Sequence, residues 1–509
     1  MDEAAGSSAP ELGPIALALS GGGYRAAAFH LGTMKALAEL DLLRDVRWLS
    51  TASGGSIIGA RWVLSLLAGH TFAEFEAAMD AILRRNIIAA ALDRLHRGSR
   101  PVSLSQRAAE VYDDLFEGQR LGALAAGLKS HTGGMARLEH VIINATHFSL
   151  GYGFRFTFPP RGNAPLGNRA AKFEPTDGAW QDIRLADAVA ASACFPAGFE
   201  PLHFPDDFSW SGAPPRVWAR GLDSNEEEQT VPLMDGGIFD NQAIDALLLI
   251  DDASDSTRRP DDDIGVLFCS DTDQKHMPFY ARPRCHAFWH FLGRVPLWAL
   301  AMAAAAVTAA LACWARTGTG RPAVLAAVGA TLAGMLLAAI VGLLVVAQIK
   351  VPFRYWLAGK LLRTPLRDLW HLAIARVRSV LALTSSVFMY RVRALGYNVA
   401  RLRMRHRVVP SQIYDYDHPK PRVATPFDTP SEAVRTRAAR ARKVRTQLWM
   451  SAEEREVVVQ AGYAAALGAL GHYLRRWQKA SPDARSFRDM PYPTALAARV
   501  EALWKRLNG

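Results

Sequence analysis

A chain of 509 residues, half of them hydrophobic, is long enough for one large domain or two to three ordinary ones. Its formal net charge of +11 raises the question of nucleic acid, but the arginines crowd after residue 350 beside an apolar block. No nucleic-acid motif accompanies them, so the charge reads as membrane-surface charge and nucleic acid drops out as a partner.

The start, Met1 to Gly6, is acidic and small, with no basic stretch leading an apolar one, so no cleaved secretory signal is expected. Ile15-Ala16-Leu17-Ala18-Leu19 predicts a buried strand. Three glycines follow, then an Ala-rich segment with helical spacing from Arg25 to Leu40. A second strand near Val46 to Thr51 runs into Ser53, and a helix follows from about Ser56 to Leu67. Strand, glycine turn and helix, twice over, predict a mainly parallel α/β sheet. A charge-mixed helical stretch covers roughly 73 to 130. Strands are expected at His140 to Ala145 and Phe154 to Phe158, a helix near Leu185 to Ser192, and strands at Val231 to Met234 and Ile264 to Cys269. Pro201 to Glu228, rich in Pro, Trp, Asp and Ser, reads as a surface excursion near the site. Four cysteines, Cys194, Cys269, Cys285 and Cys313, show neither pairing nor metal-ligand spacing, which argues against a disulfide scaffold.

The pattern then changes. Val295 to Ala315 and Ala323 to Ala347 are free of charge and long enough to cross a bilayer, for which about 20 residues are needed. Arg316 to Pro322 joins them as a tight turn, and together they predict a transmembrane hairpin. Small residues recur every fourth position, as at Ala301, Ala305 and Ala309 or Ala330, Gly334 and Ala338, a spacing that lets two helices approach closely in lipid. Arg282, Arg284 and Arg294 before the hairpin, with Lys350, Arg354, Lys360 and Arg363 after it, outweigh Arg316 and Arg321 in the turn. That bias puts both flanks in the cytoplasm. Heavy use of Ala and Arg suggests a GC-rich bacterial genome, which makes the expected location a bacterial inner membrane. From Phe353 to Arg407, basic residues alternate with Trp, Leu, Phe and Tyr in helical runs. They predict helices lying on anionic lipid, with a solvated helical linker as the alternative. A last helical region runs from Arg445 to about Arg475.

Four patches in the first half carry the chemistry. Thr51-Ala52-Ser53-Gly54-Gly55-Ser56 places Ser53 between strand and helix, where a tight turn can expose its hydroxyl. Ser50 and Ser56 compete, but only Ser53 has a glycine at both positions after it. Gly21-Gly22-Gly23 opens a helix after a strand, where backbone N–H groups can hold developing negative charge together with that of Gly54. A Walker or Rossmann loop would need a Lys-Ser/Thr or spaced glycines, and neither is present. Arg25, two residues on, could pair with a substrate phosphate or with a carboxylate of the fold. Asp235 ends Val231-Pro232-Leu233-Met234, with Gly236 and Gly237 allowing a tight turn beside Ser53; Asp240 lacks such glycines. A carboxylate base needs its pKa raised by burial or its proton transfer tightly coupled to attack. His147 keeps a Ser-His-Asp triad open as the runner-up, whereas His30 falls two turns into a helix. Nothing groups histidines or other residues as metal ligands, and no cofactor is expected.

In order and context these patches, with Ala191-Ser192-Ala193-Cys194-Phe195-Pro196, resemble the patatin-like phospholipases. The Ser53-Gly54-Gly55-Ser56 run is similar to the variant of the cytosolic phospholipase A2 branch, whereas Thr51 stands where the usual pattern has glycine. Asn241-Gln242-Ala243 lacks the family's proline. The resemblance implies a three-layer α/β/α sandwich in which Asp235 takes the proton of Ser53 directly. It also implies that Arg25 binds the lipid head group, and that Phe195 and Pro196 line the acyl pocket. The expected organisation is a main catalytic part at 1–275, an insertion at 276–425 with the hairpin at about 295–315 and 323–347, and closing helices at 426–509. The expected function is a membrane-anchored serine lipid acyl hydrolase acting on phospholipid or another acyl lipid, facing the cytoplasm. A scaffold or effector with a vestigial pocket is the alternative, supported by Thr51.

Overall fold

The computed structural model describes residues 11–97, 102–131, 133–160, 166–168, 171–172, 178–196, 198–220, 226–228, 230–252, 264–272, 363, 375–380, 383, 387–413, 425–479 and 491–509. The hairpin expected at 295–347 and its flanking basic residues up to Lys360 lie outside the described residues. Two compact units result, one of Met1–Met277 with Met389–Gly509, the other Pro278–Phe388.

The strands are β1 (Ile15–Leu19), β2 (Val46–Ala52), β3 (His140–His147), β4 (Tyr152–Phe158), β5 (Ala171–Lys172), β6 (Leu202–Phe204), β7 (Trp218–Arg220), β8 (Glu226–Glu228), β9 (Val231–Asp235), β10 (Val266–Asp271) and β11 (Val408–Gln412). The helices are α1 (Gly23–Glu39), α2 (Gly54–Leu67), α3 (Phe72–Arg84), α4 (Ile87–Arg97), α5 (Leu104–Leu115), α6 (Leu121–Ser130), α7 (Leu185–Ala193), α8 (Gly237–Asp240), α9 (Asp245–Ile250), α10 (Phe388–Met404), α11 (Glu432–Lys443), α12 (Ala452–Lys479) and α13 (Thr494–Asn508).

Eight strands form the main sheet, and β5, β7 and β8 a small separate one. As the strand–glycine–helix repeats predict, β11, β10, β1, β2 and β3 run parallel. The remaining pairs are antiparallel: β4 and β9 on β3, and β6 on β9. Pairing on β3 decides where the site lies. β4 covers one edge of β3 from Val141 to His147, so β2, on His140 to Asn144, and β9, on Ala145 to His147, share the other edge. Running in opposite directions along that edge, β2 and β9 end face to face at Ala52 and Asp235. Their ends meet head-on, whereas the sequence predicts a mainly parallel sheet and leaves the direction of β9 open.

Alternation in the strands builds the layers. Ile15, Leu17 and Leu19 join a large core with α1, α2 and α12, while Ala16 and Ala18 face a smaller one with α9 and α10. The result is the expected three-layer α/β/α sandwich. Glycines set how closely α1 and α12 cross. A Cβ on Gly32 would stand 1.8 Å from Val459 O, and one on Gly462 2.0 Å from Phe29 O. Among the described residues α12 is the one helix long and apolar enough to cross a membrane, but 78% of its apolar window is buried, which makes it a core helix.

Two segments differ from the sequence reading. Pro201 to Glu228 is not wholly an excursion, because β6 edges the main sheet and Phe204 packs on Phe208 with ring centroids 5.0 Å apart. The first unit resumes at Met389 rather than 426. There, Arg393, Tyr397, Ala400 and Met404 form a buried face of α10, and β11 pairs with β10. That face of the basic segment is therefore core and not lipid-facing.

Candidate active site

Ser53 caps α2 with φ 50° and ψ −119°, a conformation that costs a non-glycine residue of order 1–3 kcal/mol. The strain follows from reversing the chain within one residue, and the neighbours show how tightly. A Cβ on Gly54 would lie 2.0 Å from Gly23 O, and one on Gly55 2.3 Å from Leu19 O. Thr51 is accommodated because Gly59 on α2 gives it room; a Cβ there would sit 2.7 Å from the Thr51 methyl carbon. The departure from the usual elbow pattern is thus matched by a compensating glycine one helical turn on.

The competing serines are committed elsewhere. Ser56 is fully buried between the hydroxyls of Thr51 (2.9 Å) and Ser192 (2.8 Å), and Ser50 Oγ accepts from Asn144 Nδ2 at 2.9 Å. Ser192, whose sequence context suggested only a pocket lining, fixes the elbow itself. Its hydroxyl accepts the Ser53 amide at 2.9 Å and donates to Asn144 O at 2.6 Å. A polar residue in an Ala-rich helix was the available signal.

Ser53 Oγ donates to Asp235 Oδ2 at 2.6 Å, with no histidine between them. The Gly237 amide donates to the other carboxylate oxygen at 2.8 Å, which fixes the carboxylate plane. Gly236 makes the turn possible, since a Cβ there would meet Asn144 O at 2.1 Å. Burial pushes the Asp235 carboxyl up to about 6, against the lowering effect of the Ser53 and Gly237 hydrogen bonds. His147 is buried on β3 opposite Leu233, two residues from Asp235, and burial lowers its pKa. Asp240 accepts the Asp245 amide at 2.6 Å at the start of α9.

The glycine loop lies directly on the elbow. A Cβ on Gly21 would stand 3.2 Å from Ser53 Cβ and 2.6 Å from Asn241 Oδ1. The Gly21 amide, expected from the sequence among the oxyanion donors, instead donates to Asn241 O at 2.8 Å. The Tyr24 amide is likewise used, by Gln447 O at 2.9 Å. An oxyanion placed here would draw on the amides of Gly22, Gly23 and Gly54, at the starts of α1 and α2 where helices leave N–H groups unpaired. Gly22 (φ 137°) and Gly23 (φ 58°) adopt backbone that a side chain would strain. Beneath the loop, His30 is fully buried with Nε2 donating to Ser20 O at 2.8 Å and Nδ1 facing Ser270 Oγ at 2.7 Å. Burial pushes its pKa down to about 4, so it is a neutral brace.

Arg25 is half-buried in the first turn of α1 and donates to Val444 O at 3.3 Å. Burial, then the nearby Arg393, lowers its pKa, and Asp271 opposes that. Phe195 and Pro196 are exposed where the chain leaves α7, Phe195 stacking edge-on against Phe199 at 5.4 Å. They adjoin the aspartate strand, since Cys194 O accepts the Asp235 amide at 3.1 Å. Cys194 itself is buried, and burial pushes its thiol pKa up.

A family model described as patatin-like phospholipase matches residues 17–248. The chain carries a patatin-like phospholipase domain. The match spans both the Ser53 elbow and the Asp235 turn, and it places the domain among the lipid acyl hydrolases. No curated protein matches the chain. In the patatin-like domain Gly54→Ala is expected to fail on packing alone. The 2.0 Å overlap with Gly23 O is with backbone, so a thermal melt should show destabilisation by about 3 kcal/mol or more, or no folded protein.

Proposed function

We propose that the protein is a serine lipid acyl hydrolase working through Ser53 and Asp235 at a membrane surface. Ser53 Oγ attacks the acyl carbonyl while its proton passes to Asp235, and amides of Gly22, Gly23 and Gly54 hold the oxyanion. As the tetrahedral intermediate collapses, the ester C–O bond breaks and the alcohol leaves with the proton from Asp235. Water, deprotonated by Asp235, then releases the fatty acid and restores Ser53. The 2.6 Å hydrogen bond between a strained elbow serine and a buried carboxylate carries this reading. Labelling by a fluorophosphonate probe, with fatty-acid release from phospholipid vesicles, tests it. Wild type should give both and Ser53→Ala neither; equal labelling of the two would end the proposal.

A lipid substrate and a bilayer partner are supported by the β3–β4 turn. It continues β3 past the level of Ser53 and exposes Phe148 (54%), Leu150 (39%) and Tyr152 (55%). Large apolar side chains exposed beyond the end of the strand that flanks both Ala52 and Asp235 fit an acyl-chain surface better than water. Replacing all three by Ser should lower activity on vesicles by about tenfold and leave a soluble short-chain ester unaffected, as initial rates on the two substrates will show. Arg25 is the proposed head-group contact, and the hairpin at 295–347, with its catalytic domain facing the cytoplasm of a bacterial inner membrane, the proposed anchor.

A further inference from the structure

The helix by which the chain returns to the α/β unit, α10, touches the site at two places. Met389 Cε stands 3.4 Å from where a Cβ on Gly237 would lie, beside the amide that holds Asp235. About one turn on, Arg393 Nε is 3.4 Å from Asp271 Oδ2. A turn further, Tyr397 Oη donates to the same oxygen at 3.1 Å, and Gln412 Nε2 from β11 at 3.2 Å. Asp271 is fully buried, with Arg393 7% and Tyr397 6% exposed. A buried ion pair is weak evidence of stabilisation, because apolar residues of the same shape generally do as well. Its place in the chain points to a different use.

Asp271 ends β10, and the residues on either side of it hold the glycine loop. Ser270 O accepts the Ser20 amide at 3.0 Å, and Ser270 Oγ braces His30. The Thr272 amide donates to Ser20 Oγ at 3.3 Å, its hydroxyl donates to Gly21 O at 3.3 Å, and that hydroxyl lies 3.0 Å from a Cβ position on Gly22. Pairing of β10 with β1 ends at Ser270 and with β11 at Asp271, so Thr272 lies beyond both ladders. Side chains must fix what backbone pairing no longer fixes.

We propose that Asp271, Arg393 and Tyr397 are positioning residues that lock the end of β10, so that Ser270 and Thr272 hold the Gly21–Gly23 loop with the Gly22 and Gly23 amides aimed at the carbonyl oxygen bound over Ser53. The lock rests on the Ser53–Asp235 reading and adds to it a control on the oxyanion donors by a helix that follows the 278–388 unit in the chain.

The test uses the full-length chain with two substrates, p-nitrophenyl butyrate, which has no phosphate, and phosphatidylglycerol vesicles. An active wild type with a silent Ser53→Ala establishes the underlying reading; an inactive wild type overturns both. With that in hand, Arg393→Gln and Asp271→Asn should each lower kcat on both substrates by about 10- to 100-fold, with KM within about twofold. The acid limb of the pH profile should stay near the Asp235 value of about 6, because the lock acts on the oxyanion donors and not on the base. Tyr397→Phe strands no charge and should fold. It should show the same pattern at about three- to tenfold, and it decides the matter if the charge variants do not fold. A rise in KM for vesicles alone would make Arg393 a substrate contact and overturn the proposal. So would wild-type kcat in folded variants, or a shifted acid limb.

Discussion

Ser53→Ala is expected to cut acyl release by roughly five orders of magnitude or more, the scale on which loss of a serine nucleophile acts. Few side chains can replace it, because Ser50 and Ser56 are buried and hydrogen-bonded within the elbow. The fold should survive. Alanine removes one hydroxyl and keeps the backbone that Gly54 and Gly55 permit, so the melting temperature should stay within a few degrees or rise. Residual turnover above about 1% of wild type would show that another group attacks the ester.

Asp235→Asn is the second large effect. Without a base, Ser53 keeps its proton, and a positioned general base is worth about 10²- to 10⁴-fold. In wild type, kcat/KM should fall as pH drops through about 6, because only the unprotonated carboxylate accepts the proton. Stability moves the other way. A carboxyl raised from 3.8 to about 6 by burial favours the folded state below its unfolded value, and that advantage is lost as pH rises through about 6. Holding the ionised form buried therefore costs about 3 kcal/mol at neutral pH. Asp235→Asn should melt higher than wild type at pH 8, and the gap should close by pH 4. Equal melting at both would mean that the carboxylate is not buried in solution.

The sandwich could be read from the sequence wherever short-range chemistry decides structure. β1 is an apolar run ending in a glycine turn, and β2 runs into an elbow marked by Gly54 and Gly55. Direction and partnership were harder. Nothing in Val231 to Asp235 reveals that β9 runs against β2, because strand direction is set by long-range pairing. β11 was hidden for a related reason. As an edge strand it tolerates Pro410, which counts against a strand in sequence. The buried face of α10 carries Arg393 and Tyr397, so its pattern looks basic where it is core. The Gly21 amide was misjudged because its partner, Asn241 O, lies 220 residues away in sequence.

One feature of the glycine loop has a temporal side. Gly23 and Tyr24 rest on Gln447, so the glycine loop is buttressed by a residue translated more than four hundred positions later. A nascent chain that has released Ser53 and even Asp235 still has an unsupported glycine loop until Gln447 emerges. On the proposed mechanism, hydrolysis cannot begin before Gln447 has left the ribosome.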